Sequence, residues 1–213
     1  AQGDKESKVA AAVLGKALDL LREGKPARLT QAADEEEARV LQQAQLLTTK
    51  PVLYVCNVEE DAAAHGNAQS ARVFEKAASE GAQAVVVSAA IESELVGMAA
   101  DERMMFLEEM GLHETGLARV VRAGYELLHL ITFFTVGPKE ARAWTVPNGA
   151  LAPEAAGVIH SDFQKGFIRA ETIAYDDYVT LGGEARAREA GKLRAEGKTY
   201  AVHDGDVMNF LHS

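Results

Sequence analysis

The sequence predicts an α/β segment followed by an α+β segment. Three observations carry this. Two short apolar runs, Val52 to Cys56 and Ala84 to Val87, flank one helical stretch. The apolar period switches from helical to alternating near Leu130. Beyond it, a hairpin, a helix and further strands crowd into the remainder of the chain.

Asp4 to Glu23 carries apolar groups at helical spacing (Val9, Val13, Ala17, Leu20, with Leu14, Leu18, Leu21) and reaches Gly24, a C-cap residue. Asp34-Glu35-Glu36-Glu37 opens a second helix, where negative charge suits the N-terminus, and reads as a solvated first turn. Val40, Leu41, Ala44 and Leu47 would face the first helix, giving an antiparallel hairpin over 1–49. Val52 to Cys56, opened by Pro51 and rich in β-branched and aromatic residues, reads as a buried parallel strand. A helix over Gln69 to Glu80, ended by Gly81, leads to a second parallel strand over Ala84 to Val87. Two parallel strands are too few for a domain, so more sheet is expected than this chain supplies. Helical patterns follow at Ala100 to Met110, where Met104, Phe106, Leu107 and Met110 are packing residues, and at Glu114 to Leu130.

Ile131 to Val136 and Glu140 to Val146, joined by Gly137-Pro138-Lys139, form a hairpin. A helix over Pro153 to Ile159, a strand over Phe167 to Ile173, a turn at Tyr175-Asp176-Asp177-Tyr178, a helix over Glu184 to Glu196 and a closing strand over Val207 to Phe210 complete an α+β fold of the β-grasp, ubiquitin-like kind. The expected divisions are 1–49, 50–130 and 131–213.

Composition narrows the function. A net charge of −10 argues against nonspecific nucleic-acid binding by the whole chain, and DNA is excluded as a partner. The charge is uneven: Phe134 to Ser213 holds 9 Lys+Arg against 11 Asp+Glu, so RNA-particle contact stays open there. Arg186, Arg188, Lys192, Arg194 and Lys198 are the candidate phosphate contacts, although interleaved Glu184, Glu189 and Glu196 favour a solvated helix. No apolar run suits a membrane span and the opening residues are no signal peptide, so a cytoplasmic location is expected. The single cysteine, Cys56, reads as core. The histidines lack ligand spacing, so no metal site is expected, and Ser88 has no nucleophile elbow around it.

The remaining candidate lies at the carboxyl ends of the two parallel strands, where ligands bind in open α/β sheets. Asn57-Val58-Glu59-Glu60 resembles the N-K-x-D base-recognition motif of P-loop GTPases, with valine for lysine and glutamate for aspartate. The longer glutamate moves the carboxylate, and a site built on hydrogen bonds rejects the wrong base, so guanine preference should be lost.

Longer blocks carry a wider resemblance. Lys50 to Glu60, Ser88-Ala89-Ala90-Ile91-Glu92-Ser93-Glu94-Leu95, Phe134 to Thr145, Ala155 to Phe163, Lys165 to Glu171, Glu189 to Arg194 and Asp204 to Met208 together resemble the YchF family, the Obg-like ribosome-binding ATPases. The resemblance implies part of a P-loop GTPase-type parallel sheet with an inserted helical hairpin, followed by a TGS domain of β-grasp fold. It implies that Asn57, Val58 and Glu60 contact the adenine of ATP, with Ser88, Ala89 and Ala90 supplying a backbone turn on its other side. It also implies ATP with magnesium as cofactors and the ribosome as partner, through the TGS domain and the hairpin.

No G-x-x-x-x-G-K-[ST] occurs, so phosphate cradling and magnesium coordination are expected outside this chain, which carries no catalytic residue of its own. The chain looks like about three fifths of a family member, begun inside the inserted hairpin and catalytically incomplete. The closing Val207-Met208-Asn209-Phe210-Leu211-His212-Ser213 departs from the family pattern. The competing reading is a non-catalytic TGS-containing module that binds a ribosomal or regulatory partner.

Overall fold

Val13 and Ala17, four residues apart on the first helix, are fully buried with Ala27 and Leu41, and this small cluster holds the helical hairpin together. The computed structural model describes residues 2–213 and divides into two units, Ala1–Leu127 and Leu128–Ser213. Helix α1 (Gln2–Arg22) ends where Gly24 takes a left-handed φ of 74°. There the Gly24 and Lys25 N–H groups reach back to the Leu21 and Leu20 carbonyls at 3.0 and 2.9 Å, closing orphan acceptors of the last turn.

Helix α2 (Glu35–Gln43) is capped by Asp34, whose Oδ1 accepts the Glu37 N–H at 2.9 Å. The acidic run is more than a solvated turn. Glu37 is 8% exposed and accepts from Lys16 Nζ at 2.7 Å and from the Ala33 N–H at 2.8 Å. The Lys16 hydrogen bond, with that from Ala33, holds the Glu37 carboxyl below the usual range. Leu47 does not face α1 as expected. The chain reverses at Gln45 (φ 51°) into a single 3-10 turn over Leu47–Thr49, which leaves Leu47 80% exposed.

Strand β1 (Leu53–Asn57), helix α3 (Ala68–Ser79) and strand β2 (Gln83–Val87) form the expected strand-helix-strand unit. The strands pair in parallel, in register from Leu53 opposite Gln83 to Asn57 opposite Val87. These two strands make up the whole sheet of the first unit among the described residues. Cys56 is half-buried and free rather than fully in the core. Tyr54 Oη and Arg28 Nη2 donate to Glu80 Oε2 at 2.8 and 3.1 Å, and Arg28 Nε donates to the Glu80 carbonyl at 2.9 Å. The hairpin, β1 and the end of α3 are thereby fastened at one carboxylate.

Helix α4 (Ala89–Leu95) follows β2 directly, and α5 (Ala100–Glu109) and α6 (Gly116–Leu127) complete the unit. Ile91 and Leu95 of α4 and Leu107 of α5 share a core with Ala63 and Leu112. Met104 was expected to pack but is 66% exposed, because Leu107 occupies the buried face of α5. Helix α6 stops short of the expected Leu130, since the chain turns at His129 (φ 51°) and Leu130 already belongs to the next strand.

In the second unit, β3 (Leu130–Val136) and β4 (Ala141–Pro147) make the antiparallel hairpin. Then come α7 (Ala152–Ile159), α8 (Ser161–Lys165), β5 (Phe167–Ala174), α9 (Tyr175–Leu181), α10 (Glu184–Glu189), β6 (Arg194–Glu196) and β7 (Asp206–His212). The sheet order is β4-β3-β7-β5-β6, with β7 parallel to β3 and antiparallel to β5. The terminal stretch that departs from the family pattern is therefore the central strand. Its Phe210 meets Phe133 edge-on at 5.8 Å. Fully buried Ala152, Ala155 and Ala156 let α7 lie close on the sheet over Phe133, Val146 and Met208.

Two expectations fail here. Tyr175 to Tyr178 is the first turn of α9 and not an isolated turn, its two aspartates lying at a helix N-terminus. The helix expected over Glu184 to Glu196 breaks at Gly191 (φ 70°), and its second half is the edge strand β6.

Candidate functional site

The parallel ladder brings the ends of β1 and β2 side by side. Beyond the last pair, the Val58 N–H donates to the Val87 carbonyl at 2.9 Å, so both chains leave the sheet together. Asn57, exposed at the end of β1, then reaches across: its Oδ1 accepts the Ala89 N–H at 2.9 Å. A backbone N–H can meet only the oxygen of the amide, so this contact fixes the amide's orientation and leaves Nδ2 as its donor face.

The other sequence-derived site residues fall around this bridge. Val58 is 9% exposed, so its side chain is turned into the fold. Glu60 is exposed and begins a 3-10 turn over Glu60–Ala62. Ser88 is 2% exposed, and its Oγ has no hydrogen-bond partner. Ala89 and Ala90 are exposed, but they form the first turn of α4 rather than a free backbone turn. Small side chains there leave the helix start uncovered, with the Ala89 N–H already taken by Asn57 Oδ1.

Sequence reasoning passed over Glu92 and Gly116. Glu92 Oε1 accepts the Gly116 N–H at 2.5 Å and Oε2 accepts the Leu117 N–H at 3.3 Å, so a carboxylate from α4 caps α6. Thr115 Oγ1 accepts the Ala118 N–H at 3.0 Å. With those donors occupied, the start of α6 is not an open anion site. The available signal was a carboxylate one helical turn after the Ser-Ala-Ala run and a glycine opening an apolar helical pattern.

The phosphate-type motif has one near miss. Gly197-Lys198-Thr199 ends it correctly, but Gly191 stands one residue too far ahead, and the segment contains β6 and ends in a turn with no helix after it. Among the described residues no group of three or more His, Cys, Asp or Glu is arranged to hold a metal ion. No described helix is long and apolar enough to cross a membrane.

Of the five candidate cations in the second unit, three are paired. Arg188 meets Glu171 and Glu184 at 3.1 and 2.9 Å, Lys192 meets Asp177 at 3.2 Å, and Arg194 meets Glu196 and Asp206 at 3.3 and 3.5 Å. Exposed pairs of this kind contribute about 0–1 kcal/mol, so pairing alone does not bar Arg188 or Lys192 from a phosphate. Arg194 is different, because Asp206 is 3% exposed and also accepts from Tyr200 Oη at 2.7 Å and the His203 N–H at 2.9 Å. Moving Arg194 would leave a buried carboxylate less well paired.

A parallel strand-helix-strand unit with polar groups at its strand ends, followed by a mixed sheet covered by helices, defines a mixed α/β protein, and its fold is similar to part of two solved structures. The chain aligns with the Schizosaccharomyces pombe YchF GTPase at a TM-score of 0.82 and 31% identity, over 97% of this chain and 55% of that one. A GTP binding protein from Pyrococcus horikoshii OT3 aligns at a TM-score of 0.55 and 20% identity over 93% and 56%, a likeness of fold alone. Residues 130–213 match the family model YchF-GTPase_C, described as a protein of unknown function (DUF933). The chain is 49% identical over 211 residues to the ribosome-binding ATPase YchF of Bacillus subtilis (strain 168), and 51% identical over 209 residues to that of Escherichia coli O157:H7. Each match covers 98% of this chain and 57% of the relative, so the chain spans little more than half the length of these proteins. By sequence, the chain belongs to the YchF family.

Proposed function

We propose that the chain carries the base-recognition edge and the TGS module of a ribosome-associated ATPase. The observation that supports this most is the Asn57 to Ala89 bridge at 2.9 Å, which joins a side-chain amide to a helix start at the strand ends, with the exposed Glu60 three residues further along the chain. In this reading Asn57 Nδ2 donates to the ring acceptor that adenine and guanine share, and so selects a purine. Glu60, an acceptor only, takes the exocyclic amino group of adenine. Val58 supplies an apolar underside, and Ser88, Ala89 and Ala90 line the opposite wall.

These residues suit a purine base: the Asn57 amide is oriented by its bond to the Ala89 N–H, which leaves Nδ2 as a donor. ATP, when bound, would contribute the phosphoanhydride that is hydrolysed. The phosphate and magnesium contacts of that reaction are not assigned to residues of this chain. The role of the residues here is to bind and orient the base.

We assign 1–49 to an inserted helical hairpin, 50–130 to part of a P-loop GTPase-type domain with its connecting helices, and 131–213 to a TGS domain. The β-grasp assignment rests on the sheet order with a parallel β3 and β7 at its centre. The ribosome is the proposed macromolecular partner in the cytoplasm, approached through the TGS domain and the hairpin, because the relatives are ribosome-binding ATPases by name.

Photo-crosslinking with 2-azido-ADP tests the base site in the protein expressed from its complete reading frame. Labelled peptides containing residues 57–60 or 88–90 are expected. Saturable labelling confined to other peptides overturns the assignment. If that reading frame encodes no phosphate loop, the non-catalytic binding module replaces the ATPase.

A further inference from the structure

We propose that Glu92 is a positioning residue for the base site: by capping α6 it fixes where the Ser88–Ala90 wall stands relative to Asn57. The proposal rests on the base-site reading above. It follows from a closed circuit of contacts. Asn57 Oδ1 holds the Ala89 N–H at 2.9 Å, and Ala89 opens the short helix on which Glu92 sits one turn later. Glu92 takes the Gly116 and Leu117 N–H groups at 2.5 and 3.3 Å. Gly116 in turn lies against Val87, and the Val87 carbonyl accepts the Val58 N–H at 2.9 Å, which returns the circuit to β1.

The Gly116 position has no slack. A Cβ there would stand 3.0 Å from Glu92 Oε1 and 3.2 Å from Val87 Cβ and Cγ1, so any side chain displaces the carboxylate or the strand end. Helix α4 has only seven residues, anchored on its inner side by Ile91 and Leu95. Its inner face sets how deep the helix sits. The rotation of its exposed Ala89–Ala90 end is set by the two polar ties, Asn57 at the start and Glu92 a turn later. Removing the second tie leaves the helix start pinned at one point, and a binding wall discriminates between bases only while it is held within about 0.5 Å of its place.

The test compares ADP and GDP affinities by calorimetry in the protein expressed from its complete reading frame, for wild type, Glu92→Gln, Glu92→Ala and Gly116→Ala. Glu92→Ala and Gly116→Ala should each weaken ADP on the order of tenfold and lower the ADP to GDP preference, and Glu92→Gln, which keeps an acceptor, should fall between. Leu41→Ala empties the separate core of the helical hairpin and serves as the control for lost stability. It should leave the affinity and the base preference of the folded fraction unchanged. An unchanged preference in folded Glu92→Ala, or an equal loss in Leu41→Ala, overturns the positioning role. A wild type that fails to prefer ADP overturns the base-site reading itself, so the two failures are distinct.

Discussion

Asn57 Oδ1 accepts the backbone N–H of Ala89 at 2.9 Å across the ends of two parallel strands. The bond does two things at once. It fastens the start of α4 to β1, and it commits the amide oxygen, so only the Nδ2 side faces outward. Asn57→Asp preserves an acceptor for Ala89 but replaces the outward donor by an anionic acceptor. ADP affinity should fall about tenfold or more, the cost of a lost hydrogen bond with an unpaired partner, while Tm changes little. Calorimetry beside thermal unfolding separates the two effects.

Base preference can be shifted only in part. Exchanging Glu60 for Asp moves an exposed carboxylate back by one methylene and should raise GDP affinity relative to ADP with little stability change. Adding Val58→Lys is a harsher change. Val58 is 9% exposed, and burying an ammonium without a partner there should lower Tm before any gain in guanine binding is read. A single Glu60→Asp titration therefore tests the carboxylate's role more cleanly than the double exchange.

The joint between the hairpin and the α/β layer has a pH signature. The Lys76 hydrogen bond, then that of Tyr54, holds the Glu80 carboxyl below its usual range. A carboxylate depressed in the folded state stabilises above its unfolded pKa, near 4.5, and that contribution fades as pH falls through the folded value. Glu80→Gln should lower the Tm of the first unit at neutral pH. The difference from wild type should shrink on acidification below about pH 4.5. A gap that persists unchanged to pH 3 would assign the effect to packing.

In the second unit, the buried Asp206 accepts from Tyr200 Oη at 2.7 Å. Burial, then the Asp206 hydrogen bond, pushes the Tyr200 hydroxyl far above the usual tyrosine range. Tyr200→Phe removes one donor from a 3% exposed carboxylate and should cost about 1–3 kcal/mol in denaturant unfolding. Phe133→Ala, emptying the centre of the same core, should cost about 3–5 kcal/mol.

The fold was legible where a local pattern met a local cause. The apolar runs at Val52 to Cys56 and Ala84 to Val87 are strands, and Gly24 and Gly81 end helices in left-handed conformations. It was hidden where a distant contact decided. Glu184 to Glu196 reads as one mixed-charge helix, yet Gly191 breaks it and Arg194 to Glu196 pairs with β5, a partner that periodicity cannot reveal. Residues 57–60 and 88–90 were legible as candidates because strand ends collect polar groups. Their bridge was not, since 32 residues separate Asn57 from Ala89. Glu92 was hidden for the same reason: its partners lie 24 and 25 residues away in another helix.

In the proposed function the ends of β1 and β2 select adenine. The most direct measurement is a pair of calorimetric titrations, ADP against GDP with magnesium, on the protein expressed from its complete reading frame. ADP should bind at least about tenfold tighter, one good hydrogen-bonding difference at the base edge. Equal affinities, or a preference for GDP, would contradict it.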